Sequence, residues 1–126
     1  MIAMAYSLQI TARDHLVRVR LTGQLTPADL ATQDDEVQGL VSACARRHCG
    51  QVLFDATDVD VRLGTFEMFE AGRALAQAWD PRVRLAILGR PDQVDRDGFF
   101  ENVLVNRRVN ARVFTDRARA EHWLGA

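Results

Sequence analysis

Apolar and polar residues alternate regularly near the start of the chain. At residues 17–21, three apolar side chains alternate with Arg18 and Arg20, which is typical of a strand with one buried face. An apolar run at residues 6–10 precedes this strand, and the polar stretch between the two runs has the length of a hairpin turn. The pattern therefore predicts two antiparallel strands joined by a hairpin.

From Thr26 onward, helical and strand patterns alternate. Thr26 and Pro27 open the first predicted helix, whose apolar residues recur at helical spacing until Gly50 ends it. A continuous apolar run at residues 51–55 predicts a central strand covered on both faces, and a polar loop is expected after it. The remaining segments are predicted as helix, strand, helix, strand and helix, in that order, at residues 65–79, 83–88, 95–107, 111–114 and from 115 to the end.

This order of elements predicts a single α/β domain over residues 1–126. Strands that alternate with helices pair in parallel through crossover connections, whereas the initial hairpin requires antiparallel pairing. We therefore expect a mostly parallel sheet of about five strands, with the first strand antiparallel and about four helices packed against the sheet.

Three stretches of the sequence match a family pattern. They read Leu-Thr-Gly-Gln-Leu-Thr at residues 21–26, Val-Leu-Phe-Asp at residues 52–55, and Ala-Arg-Val-Phe-Thr-Asp-Arg-Ala-Arg-Ala-Glu-His-Trp-Leu at residues 111–124. In these stretches the chain resembles the SpoIIAA-like family, which consists of small single-domain relatives of the STAS modules of anti-sigma factor antagonists and sulfate transporters. The resemblance covers residues 16–124 and lies in hydrophobic patterns without a catalytic signature.

The resemblance implies both a fold and a class of function. It implies a SpoIIAA-like, STAS-like sheet and a non-enzymatic binding or regulatory module that acts through contact with a protein or a small ligand. Some members of the family are related to the lipid-exchange Sec14 fold, which implies a carrier of an apolar, lipid-like ligand as the alternative.

One part of the family pattern is missing. Antagonists that are regulated by phosphorylation have an Asp-Ser pair just before the second helix, where this chain has Leu63 and Gly64. Thr65 is the nearest hydroxyl, and a phosphate on it would lie at a helix N-terminus, which favours anions. Threonine is also a common helix cap, and this structural interpretation is the simpler one. The sequence therefore gives little support for the phosphorylation switch of the antagonists.

Polar residues follow the predicted strands, at the edge of the sheet where the ligands of open α/β folds bind. Asp55, Thr57, Asp58 and Arg62 come after the third strand, and Arg90 comes after the fourth. We predict that a protein partner or small ligand binds at this edge and on the exposed side of the second and third predicted helices. The predicted site residues are Asp55, Thr57, Asp58, Arg62, Gly64, Thr65, Phe69 and Arg90.

Catalytic alternatives find weaker support in the sequence. Asp55, Asp58 and Asp60 fit a magnesium-assisted phosphoryl-transfer site, but the chain has no lysine and no glycine-rich phosphate loop, and Asp and Thr are common in turns. Cys44 and Cys49, with His48 between them, provide too few ligands for zinc and no third group to orient a thiol nucleophile. We therefore expect a protein that is not an enzyme, with no metal site and no cofactor.

Aromatic residues at helical spacing allow two interpretations. They fit an ordinary core and also a cavity for an acyl chain, and they are Phe66, Phe69, Phe99, Phe100 and Trp123. Since Phe99 and Phe100 are adjacent, one of them is expected to be exposed. With Met68 and Phe69 it would form a protein-contact or homodimer patch.

Charge and hydropathy limit the remaining classes of partner. The formal net charge is -1, so no overall positive field attracts nucleic acid. No apolar run approaches the roughly 20 residues that span a bilayer, and the N-terminus lacks a signal-peptide pattern. We expect a cytoplasmic protein that neither binds nucleic acid nor inserts stably into a membrane.

Overall fold

The initial hairpin is longer than its apolar pattern indicates. The structure is a computed structural model that describes residues 6–13, 15–46, 49–94 and 98–125. Strand β1 (Ser7–Arg13) pairs antiparallel with β2 (Leu16–Leu25), as predicted. Because β2 continues four residues beyond the predicted end at Leu21, it also supports the distal part of a neighbouring strand.

Three more strands and four α-helices follow within the described residues, in the predicted order. A 3-10 helix at Pro27–Thr32 precedes the first of them. Their bounds are α1 (Gln33–Arg46), β3 (Gln51–Val61), α2 (Thr65–Ala78), β4 (Arg84–Leu88), α3 (Phe99–Val105), β5 (Ala111–Phe114) and α4 (Arg117–Leu124).

The strands lie in the sheet in the order of the sequence, β1-β2-β3-β4-β5. β1 is antiparallel to β2 and all the other neighbours are parallel, which confirms the predicted fold class. The three crossovers advance across the sheet in one direction, so connections of the same hand place α1, α2 and α3 on one face. α4 follows β5 and packs on the opposite face.

Each face of the sheet has its own core. In the larger core, the apolar residues of β2 pack with Val37 of α1, Leu75 of α2 and Leu104 of α3. The smaller core joins α4 to the centre of the sheet, and it contains Leu53, Ala86, Leu88, Ala120 and Leu124. The two faces therefore present different surfaces, because three helices cover one and a single short helix covers part of the other.

The prediction of a polar loop after Asp55 is wrong, because β3 continues through this segment. Arg20 of β2 lies opposite Asp55, but Thr22 lies opposite Asp58, so β3 carries one residue more than β2 between these pairs. This bulge moves the later apolar residues back to the helix side, where Val59 is fully buried. The extra residue breaks the two-residue alternation, which is why the segment has the sequence pattern of a loop.

Two helices differ in extent from their predictions. The first begins as the 3-10 helix, in which the Asp29 carboxylate accepts hydrogen bonds from the backbone N–H of Thr26 at 2.8 Å and from its hydroxyl at 3.0 Å. The third is confined to Phe99–Val105 and follows Gly98, which has a left-handed φ of 66°. Its predicted start at residues 95–97 lies outside the described residues.

Candidate functional site

The parallel strands end at one edge of the sheet, which we call the rim and define as residues 55–65 and 89–94. The ladder between β3 and β4 ends at the pair Asp55 and Leu88, and beyond it β3 pairs with β2 alone. The rim contains every predicted site residue except Phe69. The structure distributes these residues among a polar network, the start of α2, and two outlying positions.

The polar network connects α4, β3 and the loop after β4. Asp55 Oδ2 accepts a hydrogen bond from Arg117 Nη2 at 2.6 Å. Asp55 Oδ1 accepts from the Thr57 backbone N–H at 3.0 Å and from its hydroxyl at 2.6 Å. Arg90 Nη1 donates to the Thr57 carbonyl oxygen at 3.2 Å. The structure thus brings Asp55, Thr57 and Arg90 together, and it adds Arg117, which sequence reasoning missed because α4 returns to the rim only in three dimensions.

The charge of Asp55 is fixed by its surroundings. Burial is the largest single influence and raises the pKa of this carboxyl group. The hydrogen bonds from Thr57 and Arg117, together with the charge of Arg117, outweigh burial and hold the pKa of Asp55 below its ordinary value. A carboxylate of lowered pKa is a poor proton acceptor, so the short bond from Thr57 does not form an activated nucleophile.

Arg62, Gly64 and Thr65 lie together at the start of α2. Gly64 is the N-cap residue, and its backbone N–H donates to Glu67 Oε1 at 3.1 Å. The interpretation of Thr65 as the helix cap is therefore wrong, because the helix has already begun at this exposed residue. Arg62 is exposed and its Nε donates to Asp60 Oδ2 at 2.7 Å.

Phe66 is the exposed aromatic residue of this region, with 70% of its surface accessible. Sequence reasoning placed it in the core or in a cavity. The angular position of Phe66 around the predicted helix would have shown that it lies outside the core. At 100° per residue, Phe66 lies on the side of α2 opposite the buried Leu75. Its ring therefore points away from the sheet, beside Thr65.

Asp58 and Phe69 lie apart from the other predicted site residues. Asp58 Oδ2 accepts hydrogen bonds from Arg20 Nε at 3.1 Å and Nη2 at 2.5 Å, and both side chains are about half exposed. Phe69 lies under the guanidinium of Arg107, with 4.9 Å between the Arg107 Cζ atom and the ring centroid. These contacts turn Asp58 toward β2 and Phe69 toward the end of α3.

A cavity of about 590 Å³ lies between the sheet and α1, α2 and α3. It reaches the surface at the rim, since the exposed residues Gly64, Thr65 and Asp92 belong to its lining. Phe99 and Phe100 both line the cavity and both are half-buried, so the expectation that one of them is exposed is wrong. Adjacent residues on a helix point in different directions, so a narrow packed face would cover only one of the two rings. Here both rings line the cavity.

The other aromatic candidates lie outside the cavity lining. Phe66 is on the surface and Phe69 contacts Arg107. Trp123 of α4 lies on the opposite face of the sheet, where its ring centroid is 5.8 Å from that of Phe114. Arg84 Cζ lies 5.7 Å from the Trp123 ring centroid.

The three aspartates of the magnesium hypothesis do not converge. Asp55 pairs with Arg117, Asp58 with Arg20 and Asp60 with Arg62. Among the residues that the structure describes, no three His, Cys, Asp or Glu side chains are grouped so that they could hold a metal ion. Each of these carboxylates instead pairs with an arginine of its own, so their charges are compensated.

The cysteines have the character of core residues. Cys44 and Cys49 are buried and free of disulfide bonds. Burial, with a hydrogen bond to Cys49, raises the pKa of Cys44 to about 12, so the group is a neutral thiol and a poor nucleophile. His48, which lies between them in the sequence, is outside the described residues.

Solved structures with a similar chain path include anti-sigma factor antagonists. One, an anti-sigma factor antagonist from Mycobacterium paratuberculosis, aligns over 97% of this chain and 96% of its own, with a TM-score of 0.68 and 10% identity. Another, the anti-sigma factor antagonist SpoIIAA in its unphosphorylated form, aligns over 97% of this chain and 98% of its own, with a TM-score of 0.53 and 15% identity. The chain has the SpoIIAA-like STAS fold.

This SpoIIAA-like fold confirms the family resemblance at the level of structure. No protein-family profile matches the sequence, and no curated protein matches it in a sequence comparison. The fold is therefore recognisable from the arrangement of elements and not from conserved sequence. Within the described residues, no helix combines the length and the apolarity that are needed to cross a membrane.

Proposed function

We propose that this protein is a regulatory module that acts without catalysis, by binding a protein partner at the start of α2. We call this region the α2 surface and define it as Arg62, Gly64, Thr65 and Phe66. The partner class proposed is an anti-sigma factor, because the solved structure with a TM-score of 0.68 is that of an anti-sigma factor antagonist. The fold supports this choice of partner class, and the exposed residues of the α2 surface support this place of contact.

The observation that carries the proposal is the exposed Phe66 ring at the first turn of α2. Large aromatic residues are normally covered, and those that anchor protein interfaces are common binding hot spots. Arg62 lies four residues earlier in the chain with 63% of its side chain exposed, so the segment presents a charged group as well as an apolar anchor. This combination is typical of a contact surface for another protein.

The chemistry of the rim supports a non-enzymatic role. The hydroxyl of Thr57 donates to a carboxylate whose pKa is lowered, so this pair lacks an effective base. In this proposal, Asp55, Thr57 and Arg90 fix the loops that carry the α2 surface. Asp58 and Phe69 lie outside that surface.

A pair of matched arginine variants tests the proposal. Arg62 and Arg82 are both exposed, and each pairs with an aspartate two residues earlier, but Arg82 precedes β4 at the end of the sheet opposite the rim. The anti-sigma factors encoded in the same genome are titrated one by one against the protein, with interferometry as the readout. For the one that binds, we expect Arg62→Glu to weaken binding about tenfold. Arg82→Glu should leave it unchanged.

Two results would count against the proposal. In one, none of these anti-sigma factors binds the wild-type protein. In the other, the two arginine variants weaken binding equally, which would assign the effect to net charge and not to the α2 surface.

A further inference from the structure

The cavity between the sheet and α1, α2 and α3 interrupts the larger core. Its volume of about 590 Å³ lies within the range of ligand pockets, roughly 300–1,000 Å³. Close-packed protein interiors contain few voids larger than a water molecule. A space of this size therefore leaves core side chains without the contacts that a packed interior would give them.

Two paired residues of the sheet mark where contacts are missing. Phe54 of β3 lies opposite Ile87 of β4, and both line the cavity and are only half-buried. Leu53 and Ala86 precede them in the same strands, pack against α4 on the other face, and are fully buried. Inner strands of a parallel sheet are normally covered on both faces. The accessible surface of Phe54 and Ile87 therefore faces the cavity.

The helices contribute apolar side chains to the same space. Met68 of α2 and Phe99 and Phe100 of α3 line the cavity and are half-buried as well. Burial of apolar surface is favourable in proportion to the area removed from water. Aromatic rings provide large apolar surfaces, and methionine adapts its shape to irregular neighbours. The lining therefore favours a hydrocarbon body, which would cover apolar surface on the sheet and on the helices at once.

Polar side chains on the α1 side of the lining have partners within the protein. The Tyr6 hydroxyl donates to Glu36 Oε2 at 2.9 Å. Asp29 Oδ2 accepts from the Thr26 backbone N–H at 2.8 Å and from the Thr26 hydroxyl at 3.0 Å. A polar ligand group on this side would have to compete with these bonds.

The carboxylates and the amide on the α3 side are bonded in the same way. The side-chain amide of Gln93 accepts from a backbone N–H of β3 at 2.7 Å and donates to a carbonyl oxygen of β3 at 3.0 Å. Glu101 Oε1 accepts from a backbone N–H of β5 at 2.9 Å, and Asp92 pairs with Arg90 at 3.3 Å. Burying an ionised group is costly unless a partner compensates it. The charged and amide side chains that an ionised ligand would meet in the cavity are therefore already engaged.

From this arrangement we infer that the cavity binds an uncharged apolar small molecule, whose hydrocarbon body lies between Phe54 and Ile87 on the sheet and the aromatic rings of α3. An ionised group of either sign has to stay in water at the rim, which holds part of its chain outside, so ionised analogues bind less tightly. Gly64 and Thr65 belong both to the lining and to the α2 surface. Ligand binding is measured without a protein partner, so its failure and the failure of the proposed function are distinguishable.

A displacement assay with three ligands of equal chain length tests the inference. The neutral fluorophore N-phenyl-1-naphthylamine is first bound to the wild-type protein, and decanol, decanoate or decylamine is then added at neutral pH below its solubility or micelle limit. We expect saturable fluorophore binding, and displacement by decanol at a concentration about tenfold lower than by either ion. Absence of saturable binding, or displacement by either ion at a concentration equal to or below that of decanol, would overturn the inference.

Two pairs of variants locate the binding. Ala56 lines the cavity and Ala118 is exposed on α4, so Ala56→Phe should abolish fluorophore binding while Ala118→Phe leaves it unchanged. Phe54→Leu is a conservative change that keeps an apolar side chain and removes the ring, so it decides the question if Ala56→Phe does not fold. We expect Phe54→Leu to weaken fluorophore binding about fivefold. Phe114→Leu is its control, because Phe114 is also a half-buried strand residue but packs on the opposite face of the sheet.

The outcomes of these variants are decisive in either direction, with circular dichroism as the check on folding. Unchanged fluorophore binding in a folded Ala56→Phe protein would place the fluorophore outside the cavity. Equal binding by Phe54→Leu and Phe114→Leu would contradict the contact with the sheet. Loss confined to Ala56→Phe and Phe54→Leu supports the cavity as the binding site.

Discussion

Replacing Phe66 by alanine is expected to weaken binding of the proposed partner, an anti-sigma factor, about 30-fold or more, because truncation of an aromatic hot spot costs at least about 2 kcal/mol. The fold should be unaffected, since 70% of the residue is already exposed. We expect the free energy of unfolding to change by less than about 0.5 kcal/mol. Binding is measured by titration calorimetry and stability by urea denaturation.

Val105→Ala provides the matched control for Phe66→Ala. Val105 is also an exposed apolar residue, 49% accessible, but it ends α3 far along the chain from the α2 surface. Its truncation should leave binding of the partner intact. If Phe66→Ala binds as well as the wild type, or if Val105→Ala is equally impaired, the α2 surface is not the contact surface.

Replacing Asp55 by asparagine is expected to lower the free energy of unfolding by about 1–3 kcal/mol at neutral pH, because charged hydrogen bonds from Arg117 and Thr57 are lost or weakened. The side chain of Asp55 is 13% exposed, so solvent screens these bonds less than those at the surface. Asp58→Asn is the control, because Asp58 is 50% exposed in its pair with Arg20. It should cost less than about 1 kcal/mol.

The difference in unfolding free energy between Asp55→Asn and the wild type should shrink as the pH falls into the acidic range. The pKa of Asp55 is lower in the folded protein than its ordinary value of about 3.9, so its stabilising contribution is complete above about pH 4. The contribution is lost as the pH falls through the folded-state pKa, and the stability curves of the variant and the wild type should converge there. A constant difference between the two curves from neutral to strongly acidic pH would contradict the proposed charge of Asp55.

The fold could be predicted from the sequence because its elements have independent local signals. The alternation in β2, the turn residues, and the aspartate at the start of α4 each define an element without reference to the rest of the chain. Asp116 caps α4, since its Oδ1 accepts from the Ala118 backbone N–H at 2.8 Å. The bulge after Asp55 was missed because an extra residue in one strand is defined by its partner strand and has no signal of its own.

The candidate site could be predicted only in part, because it depends on contacts between distant segments. The order of the strands was enough to group the predicted site residues, apart from Phe69, at the rim. However, the pairing of Asp55 with Arg117, 62 residues away, required the position of α4 on the sheet. The cavity could not be distinguished from a core either, since Phe99 and Phe100 have helical spacing in both cases. The exposure of Phe66 could have been predicted, because the helical spacing of 100° per residue places it on the side of α2 opposite Leu75.

Hydrogen exchange of the protein, free and bound to its proposed anti-sigma factor partner, distinguishes contact at the α2 surface from contact elsewhere on the fold. We expect slower exchange in the complex at residues 62–70, which include the α2 surface and the first turns of α2. Exchange in α4, at residues 117–124, should stay the same. Protection confined to α4 or to the free edge of β1, with residues 62–70 unaffected, would contradict the claim that this fold binds its partner through the start of α2.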